Sequence, residues 1–345
     1  MPDRKPPRDP ARSTGVGVLG TGSFVPERRV DSKEVARLLG VENDWITGRI
    51  GVLERRFAAE DETSTELAVH ASRAALTDAG VEAADIDAII LATSTPETPV
   101  PGSAARLQAA LGATEAVAFD VNAACAGFLI GLDIAAGFLG RGERDHVLVV
   151  GSDTYSQFLN PGDRRTYPLF GDGAGAVVVG RVPAGEGILG LSVRTDGTMW
   201  DFAVGGAPTG PSAAAIAEGA HYLTMRGRDI ADLVRAQLPL LVAEAVKEHG
   251  ITIADIDHFI CHQANPRLVR EAAAAAGLTP EQVVMTGDTL GNTASASLPI
   301  GLDAAVRRGR VKAGDTVLMV TFGAGMTWGR ALMRVPGPVG ADVAA

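Results

Sequence analysis

Short runs of apolar residues alternate with longer segments of helical periodicity along most of the chain. A short apolar run bounded by turn residues is typical of a buried strand, and apolar positions three and four residues apart are typical of a helix. In the first half this pattern predicts strands at Val16–Leu19, Ala88–Ala92, Val117–Val121, Val147–Val150, Ala176–Val179 and Ile188–Val193. It predicts helices at Ser32–Leu39, Ser64–Ala79, Ser103–Leu111 and Cys125–Leu139. Strands that alternate with helices indicate parallel, helix-covered sheets.

The second half repeats this plan. Its predicted helices are Ile230–Glu248, Arg267–Ala276 and Ser295–Arg307, and its predicted strands are Phe259–Cys261, Val317–Thr321 and Ala331–Val335. The segment Gly205–Ala220 has no period and is predicted to be a long surface loop, of the kind that often borders a substrate site.

A fixed offset of 170 residues superimposes the two halves. Ala75–Ile90 and Ala245–Ile260 share seven of sixteen positions, and Asn122–Ala126 falls on Asn292–Ala296. At the same offset Ile130–Asp133 repeats as Ile300–Asp303, and Asp145–Leu148 as Asp315–Leu318. The sequence therefore predicts a duplicated α/β domain whose two copies, residues 14–183 and 184–336, pack as one pseudo-symmetric body. Residues 1–13 and 337–345 are predicted to be a disordered tail and a flexible tail.

Composition narrows the possible functions. The chain has 345 residues, 46% of them hydrophobic, and a net charge of −10, which argues against nucleic acid as a partner. Two cysteines form no disulfide framework, and this favours a reducing, cytoplasmic location. No apolar run is long enough to cross a membrane, and none follows the basic N-terminus as a signal-peptide core would.

The repeat also brings together three candidate functional residues. Cys125 follows a predicted strand at the start of a helix of small residues, where free amides and the helix dipole favour a thiolate and can hold an oxyanion. Asn292 lies at the matching turn of the second half, and His262 ends the strand whose counterpart ends at Ala92. All three map to the carboxyl ends of strands, where open α/β folds place their sites. Taken singly, each has an ordinary structural reading: a buried small hydrophobe, a core histidine and a turn asparagine.

Several ordered motifs resemble the β-ketoacyl-acyl-carrier-protein synthase III family over about Val16 to Val335. The motifs are Asp44-Trp45-Ile46, Ala124–Phe128, Phe170–Gly175, His262–Asn265, Gly291–Thr293 and Phe322–Gly329. The resemblance implies a duplicated thiolase-like fold, a five-layer αβαβα arrangement with two mixed sheets, and a homodimer.

The same resemblance implies the roles of the candidate residues. Cys125 is the nucleophile that accepts an acyl group from acyl-CoA, and its amide forms an oxyanion hole with that of Ala324. His262 and Asn292 hydrogen-bond the malonyl thioester carbonyl and stabilise the enolate left by decarboxylation. This chemistry needs no metal and no cofactor, since acyl-CoA is a substrate.

Binding residues follow from the resemblance in the same way. The residues expected to contact CoA are Trp45, Arg49, Arg164 and Asn265. The residues expected to dock a carrier protein are Arg226, Arg228, Arg267 and Arg270. Asp229 and Asp232 depart from the family pattern, in which a lysine is often found nearby, so the identity of the carrier stays open.

Three functional hypotheses remain. The first is a decarboxylative condensation of acyl-CoA with a malonyl-acyl-carrier protein that begins fatty-acid or polyketide synthesis. The second is acyl transfer from Cys125 to a hydroxyl or carrier acceptor without condensation, and the third is a non-enzymatic partner subunit. The sequence leaves the acyl primer open, although Thr95–Gly102 is expected to reach across a dimer to line the acyl pocket. We also expect the pKa of Cys125 to lie below that of a free thiol, and Cys261 to be a core residue.

Overall fold

The computed structural model describes residues 15–142, 144–205 and 212–337. Its strands in chain order are β1 (Gly15–Phe24), β2 (Arg29–Asp31), β3 (Glu54–Arg56), β4 (Ala88–Ala92), β5 (Val117–Val121), β6 (His146–Asp153), β7 (Gly173–Val182), β8 (Gly187–Thr195), β9 (Ala203–Val204), β10 (Thr224–Met225), β11 (His258–Cys261), β12 (Thr316–Gly323) and β13 (Thr327–Arg334). Its α-helices are α1 (Ser32–Leu39), α2 (Asn43–Arg49), α3 (Ser64–Ala79), α4 (Ser103–Leu111), α5 (Gly127–Gly140), α6 (Ala213–Ala217), α7 (Gly227–His249), α8 (Pro266–Ala275), α9 (Gly287–Leu290) and α10 (Ser297–Arg307).

Two mixed sheets contain the long strands, and their strand orders correspond. The first sheet has the order β1-β7-β6-β4-β5, and the second has the order β8-β13-β12-β11. In both, the inner pair (β4 with β6, β11 with β12) is parallel and the following pairs are antiparallel. The pairing pattern was therefore duplicated together with the sequence.

Alternate residues of each strand face different layers, as the two-residue period of a strand requires. In β6, Val147 and Val149 belong to a central core, whereas Leu148 and Val150 pack against an outer layer formed by α3 and α4. The central core also includes residues of α5, α10 and the second sheet, and α7 and α8 cover the outer face of that sheet. The result is five layers, αβαβα, as the resemblance implied.

The offset of 170 residues holds in three dimensions. β6 maps onto β12 along its full length, and the 3₁₀ turn Ala124–Ala126 maps onto the 3₁₀ turn Ala294–Ala296. The correspondence fails at β5, whose counterpart is the short helix α9. The second sheet consequently has one strand fewer than the first among the described residues.

Several predicted elements need correction. Helix α5 begins at Gly127 and not at Cys125, and α10 begins at Ser297 and not at Ser295, because a 3₁₀ turn precedes each helix. The periodicity also missed α2, the β2–β3 pair and α9, which are too short for a clear pattern. Within the predicted loop Gly205–Ala220 the helix α6 forms, capped by the Ser212 side chain on Ala215 N, while residues 206–211 lie outside the described part.

The predicted domain limits stay predictions. The predicted tail 1–13 lies outside the described residues, as does 338–345 of the predicted C-terminal tail. The remaining residue of that tail, Gly337, donates its amide hydrogen to Glu186 Oε2 at 3.1 Å. None of the described helices is both long and apolar enough to span a membrane.

The contact between β6 and the second half leads to the first prediction. A Cβ on Gly151 would lie 2.4 Å from the carbonyl oxygen of Ser295, so Gly151→Ala must displace backbone between the two sheets. We expect it to lower the free energy of unfolding by about 1–3 kcal/mol, as overpacking does. Gly140→Ala is the matched control because a Cβ there meets nothing within 4 Å, and it should change stability by less than about 1 kcal/mol. Urea unfolding measures both, and equal midpoints for the two variants would contradict the contact.

Candidate active site

Cys125 lies in a strained turn between β5 and α5. The residue before it, Ala124, has φ of +48°, a left-handed conformation that is costly for a residue with a side chain. The second half repeats this strain at Ala294, with φ of +47°. Thr321 of β12 donates its hydroxyl hydrogen to the Cys125 carbonyl at 2.9 Å, which ties the turn to the second sheet. Both halves thus conserve an unfavourable backbone conformation at the same place.

His262 and Asn292 approach the same space from the second half. The amide of His262 donates to Val320 O at 2.8 Å, so this residue continues the parallel pairing beyond the end of β11. Asn292 is fixed through its backbone, since its amide donates to Leu169 O at 2.8 Å and its carbonyl accepts from Gly171 N at 3.0 Å. Strand ends and a bridge to the first half therefore hold the two side chains in place.

One cavity brings the predicted catalytic residues together. Cys125, His262, Asn292 and Ala324 all line it, and so does the predicted CoA contact Asn265. The remaining lining is mostly apolar: Ala124, Tyr155, Phe170, Ala203, Leu223, Met225, Ile230, Val234, Leu268, Val269, Phe322, Gly323 and Met326. An apolar cavity with a few convergent polar groups is the usual form of a small-molecule site. Its lining is suited to an acyl chain attached to Cys125.

Two buried polar atoms in this cavity lack a protein partner. Asn292 accepts from Ala294 N at 2.9 Å through Oδ1, whereas its Nδ2 has no hydrogen-bond partner among the described residues. The same holds for Nδ1 of His262. Buried polar groups are normally paired, so unpaired ones in a cavity mark places where a ligand can bind. The free amide of Asn292 can donate a hydrogen bond to a substrate oxygen.

Burial makes both titratable groups of the cavity neutral. Burial raises the pKa of the Cys125 thiol well above its ordinary value, and the carboxylate of Asp153 raises it further. Burial lowers the pKa of His262 to about 4. The expectation of a thiol pKa below the free value is therefore wrong, because the helix dipole does not outweigh desolvation in this apolar cavity. At neutral pH the site holds a thiol beside an unprotonated imidazole, which can accept the thiol proton.

The repeat supplies an internal example of an anion bound at such a turn. Ser295, the counterpart of Cys125, donates to Asp153 Oδ2 through its amide at 3.0 Å and through its hydroxyl at 2.5 Å. The counterpart of Asp153 in the second half is Gly323, and a Cβ there would already lie 2.7 Å from Ala126 N. The amide of Ser295 thus faces a carboxylate oxygen where the amide of Cys125 faces a cavity. An oxyanion on the Cys125 side would take the place that Asp153 occupies on the Ser295 side.

Asp153 and Asp172 are buried carboxylates that the sequence reasoning missed. Burial raises the pKa of each to about 6. Asp172 accepts from Ala58 N and Ser156 N and so joins three segments of the first half. The signal for Asp153 was available, since a residue that faces Ser295 follows from the same offset that relates Ser295 to Cys125.

The predicted CoA residues form two groups. Trp45 and Arg49 lie on α2, with the guanidinium 5.7 Å from the Trp45 ring centroid. Trp45 packs on the same small core as Tyr167, three residues after the exposed Arg164. Asn265 caps α8 by accepting from Leu268 N at 3.0 Å, and it also lines the cavity. Their contact with CoA stays a prediction.

Most of the predicted docking arginines are already paired with carboxylates. Arg226 contacts Asp229 at 2.6 Å and Asp201 at 3.1 Å, and Arg267 contacts Glu271 at 2.9 Å. Arg270 pairs with Asp288, whereas Arg228 has no ion pair within the part of the chain that the structure describes. The neighbouring Asp232 pairs with Arg235. This face therefore carries mixed charge and is not a basic patch.

Comparison with known proteins identifies the family. The profile of 3-oxoacyl-[acyl-carrier-protein] synthase III matches residues 119–197, and the profile of its C-terminal part matches residues 228–335. A β-ketoacyl-[acyl-carrier-protein] synthase III from Caldanaerobacter subterraneus is 40% identical over 321 residues, which is 92% of this chain and 97% of that protein. The chain belongs to the synthase III family. It is an acyl-transferring condensing enzyme with the duplicated thiolase fold.

Two further relatives show the breadth of the family. An acetoacetyl CoA synthase from a Streptomyces species is 42% identical over 323 residues, covering 92% of this chain and 98% of that protein. The solved structure of a priming β-ketosynthase from a polyketide biosynthetic pathway is 34% identical with a TM-score of 0.89, covering 96% of this chain and all of that one. The synthase III of Pseudomonas aeruginosa, also solved, is 36% identical with a TM-score of 0.87, covering 94% of this chain and all of that one.

The raised thiol pKa gives the second prediction. Alkylation of Cys125 by iodoacetamide in the folded protein should have its midpoint above about 8.5, the free-thiol value, because the buried cavity disfavours the thiolate. His262→Ala should leave the midpoint above that value, since the imidazole is already neutral at pH 7.

Two controls accompany this measurement. Cys125→Ala leaves only Cys261, which is buried in β11 and should stay unlabelled. The urea-unfolded protein should titrate near the free-thiol value. A midpoint below about 8 in the folded wild type would show that the dipole prevails over burial.

Proposed function

We propose that this enzyme condenses an acyl-CoA primer, carried on Cys125, with a malonyl-acyl-carrier protein, releasing carbon dioxide and a β-ketoacyl-carrier protein. The observation that carries the proposal is the unpaired Asn292 Nδ2, which lines one cavity with Cys125 and His262. A transferase without condensation needs the thiol and a base but no second donor for an enolate. The free amide therefore favours condensation over simple acyl transfer.

The first half-reaction follows from the neutral pair. As the Cys125 sulfur attacks the thioester carbonyl, its proton passes to the neutral His262, whose low pKa makes it available as an acceptor at pH 7. The carbonyl oxygen becomes an oxyanion that the amides of Cys125 and Ala324 can hold. The oxyanion then collapses, the carbon–sulfur bond to CoA breaks, and the CoA thiolate takes up a proton.

The second half-reaction uses the donors that remain free. The malonyl thioester carbonyl accepts hydrogen bonds from Asn292 Nδ2 and His262. When the bond to the carboxylate breaks, carbon dioxide leaves and its electron pair forms an enolate whose charge lies on that carbonyl oxygen. The enolate carbon attacks the acyl-Cys125 thioester, and the Cys125 thiolate is the leaving group. Asp153 does not repel this enolate strongly, because Ser295 and the amide of Ser94 already bind its oxygens.

A specific observation favours a second acceptor, malonyl-CoA. The predicted docking arginines Arg226, Arg267 and Arg270 each pair with a carboxylate, so little free positive charge remains to attract an acidic carrier. A relative of 42% identity is an acetoacetyl CoA synthase by name. A small CoA thioester enters the cavity without a protein docking face.

A homodimer in the cytoplasm is part of the proposal. β5 is an edge strand of the first sheet, and its Val117 is 44% exposed. An exposed apolar edge is a typical site of pairing with another copy. Val100 in the segment Thr95–Gly102 is 85% exposed, which suits a residue that reaches a neighbouring subunit.

The third prediction tests the function and the acceptor together. Enzyme incubated with acetyl-CoA and carboxyl-labelled malonyl-acyl-carrier protein should release labelled carbon dioxide with formation of a β-ketoacyl product. A parallel reaction with malonyl-CoA measures the alternative, and the ratio of kcat/KM values decides between the two acceptors. Cys125→Ser is the control and should form no acyl-enzyme, because a hydroxyl lacks the nucleophilicity of a thiol. Acyl transfer to a carrier without carbon dioxide release would support the non-condensing hypothesis instead.

The fourth prediction separates the roles of the two halves of the site. Asn292→Ala should leave formation of acyl-Cys125 within about threefold of wild type but slow malonyl decarboxylation by about 10²–10³, the cost of one oxyanion-type donor. Asn292→Asp keeps the acceptor that holds Ala294 N but loses the Nδ2 donor, so it should be equally slow. If acylation falls while decarboxylation survives, Asn292 acts in the first half-reaction.

A further inference from the structure

The turn that carries Cys125 is held by an asparagine that does not line the cavity. Asn122 Oδ1 accepts a hydrogen bond from the amide of Ala124 at 3.3 Å and from the Ser94 hydroxyl at 3.0 Å. Ala124 is the residue with φ of +48°, immediately before Cys125. An asparagine side chain that accepts from the amide two residues later forms a local turn that competes with regular structure. Here it stabilises a conformation that alanine rarely adopts.

The second half contains the same device with a different assignment of its parts. Asn292 Oδ1 accepts from Ala294 N at 2.9 Å, and Ala294 has φ of +47°. The Nδ2 of Asn292 remains free and lines the cavity, whereas Asn122 is exposed and outside the cavity lining. Ala264 stands where Ser94 stands in the first half, so nothing equivalent to the Ser94 hydroxyl binds Asn292. The two asparagines therefore share one function, the turn, and only one of them has the second.

We propose that Asn122 is the positioning residue of the Cys125 nucleophile. Its Oδ1 fixes the left-handed residue Ala124, and this directs the Cys125 sulfur and amide into the cavity. This role depends only on an acceptor oxygen at residue 122 and not on a donor nitrogen. The inference rests on the proposed function of Cys125 as the acylated residue, and it adds a residue that acts through the backbone and contacts no substrate.

The fifth prediction compares acceptor-keeping and acceptor-losing variants. Asn122→Ala should lower the rate constant of Cys125 acylation by acetyl-CoA about five- to tenfold, the effect expected for losing one such hydrogen bond. Asn122→Asp and Asn122→Ser keep an oxygen that can accept from Ala124 N, and they should recover most of that rate. Ser94→Ala removes only the second partner of Oδ1 and should give a smaller loss. The KM for acetyl-CoA should change in none of them, because Asn122 does not contact the substrate.

The same substitution at the two asparagines gives the decisive contrast. Asparagine to aspartate should be tolerated at residue 122 but should abolish malonyl decarboxylation at residue 292, where the donor nitrogen is needed. Decarboxylation by unacylated Asn122→Ala should match wild type, since Asn292 and His262 are untouched. Single-turnover acylation, followed by intact-protein mass spectrometry, and carbon dioxide release measure the two activities separately.

Four outcomes would overturn the proposal. They are acylation by Asn122→Ala at the wild-type rate, no recovery with either acceptor-keeping variant, a loss that appears in KM alone, and a loss that accompanies a change of molecular mass in light scattering. The last would assign Asn122 to a contact between subunits. If Asn122→Ala does not fold, Ser94→Ala compared with the Asp and Ser variants decides the matter. Absence of acylation in the wild type is a distinct result that rejects the proposed function itself, and this inference with it.

Discussion

The site depends on the close contact of each strained turn with a strand of the other half. A Cβ on Gly151 of the first sheet would lie 2.4 Å from the carbonyl of Ser295, and a Cβ on Gly323 of the second sheet would lie 2.7 Å from the amide of Ala126. Each turn is therefore pressed against a glycine at the end of a strand from the opposite half. Close packing of this kind does not deform gradually, so the positions of both turns are set together. The cavity exists only because the two halves pack in this register.

Duplication explains why the catalytic residues come from both halves. Each copy has a strand end, a turn asparagine and a small residue at the start of a helix, but the side chains at these places have diverged. The first half contributes Cys125 and the second contributes His262 and Asn292, while their counterparts Ser295 and Ala92 lie buried. Asp153 fills on one side the space that Gly323 leaves open on the other. One copy of the turn is thus closed by a carboxylate, and the other remains open to substrate.

The sequence predicted the architecture and the central residues because both depend on repeated, local patterns. The helices α3 and α4 and the strands β4 and β5 match their predicted limits, since apolar periodicity and flanking turn residues define them. Cys125, His262 and Asn292 were found because the offset relates them. What the sequence could not show depends on distant contacts. The start of α5 was misplaced by two residues because the strain at Ala124 arises from packing against the second sheet, and the docking arginines were expected to be free because their partners Asp201, Glu271 and Asp288 are not recognisable from sequence spacing alone.

The direction of the thiol pKa follows from the same apolar lining that makes the cavity suitable for an acyl chain. A cavity that binds an acyl group must exclude water, and excluding water disfavours a resting thiolate. Burial also lowers the pKa of His262 to about 4, so the neighbouring base stays neutral at working pH. A neutral thiol beside a neutral imidazole places no charge in the apolar space before substrate arrives. Charge then develops only where donors are ready, at the oxyanion in the first half-reaction and at the enolate oxygen near Asn292 in the second. The burial that makes the resting thiol unreactive is thus the condition under which these few donors stabilise charge most strongly.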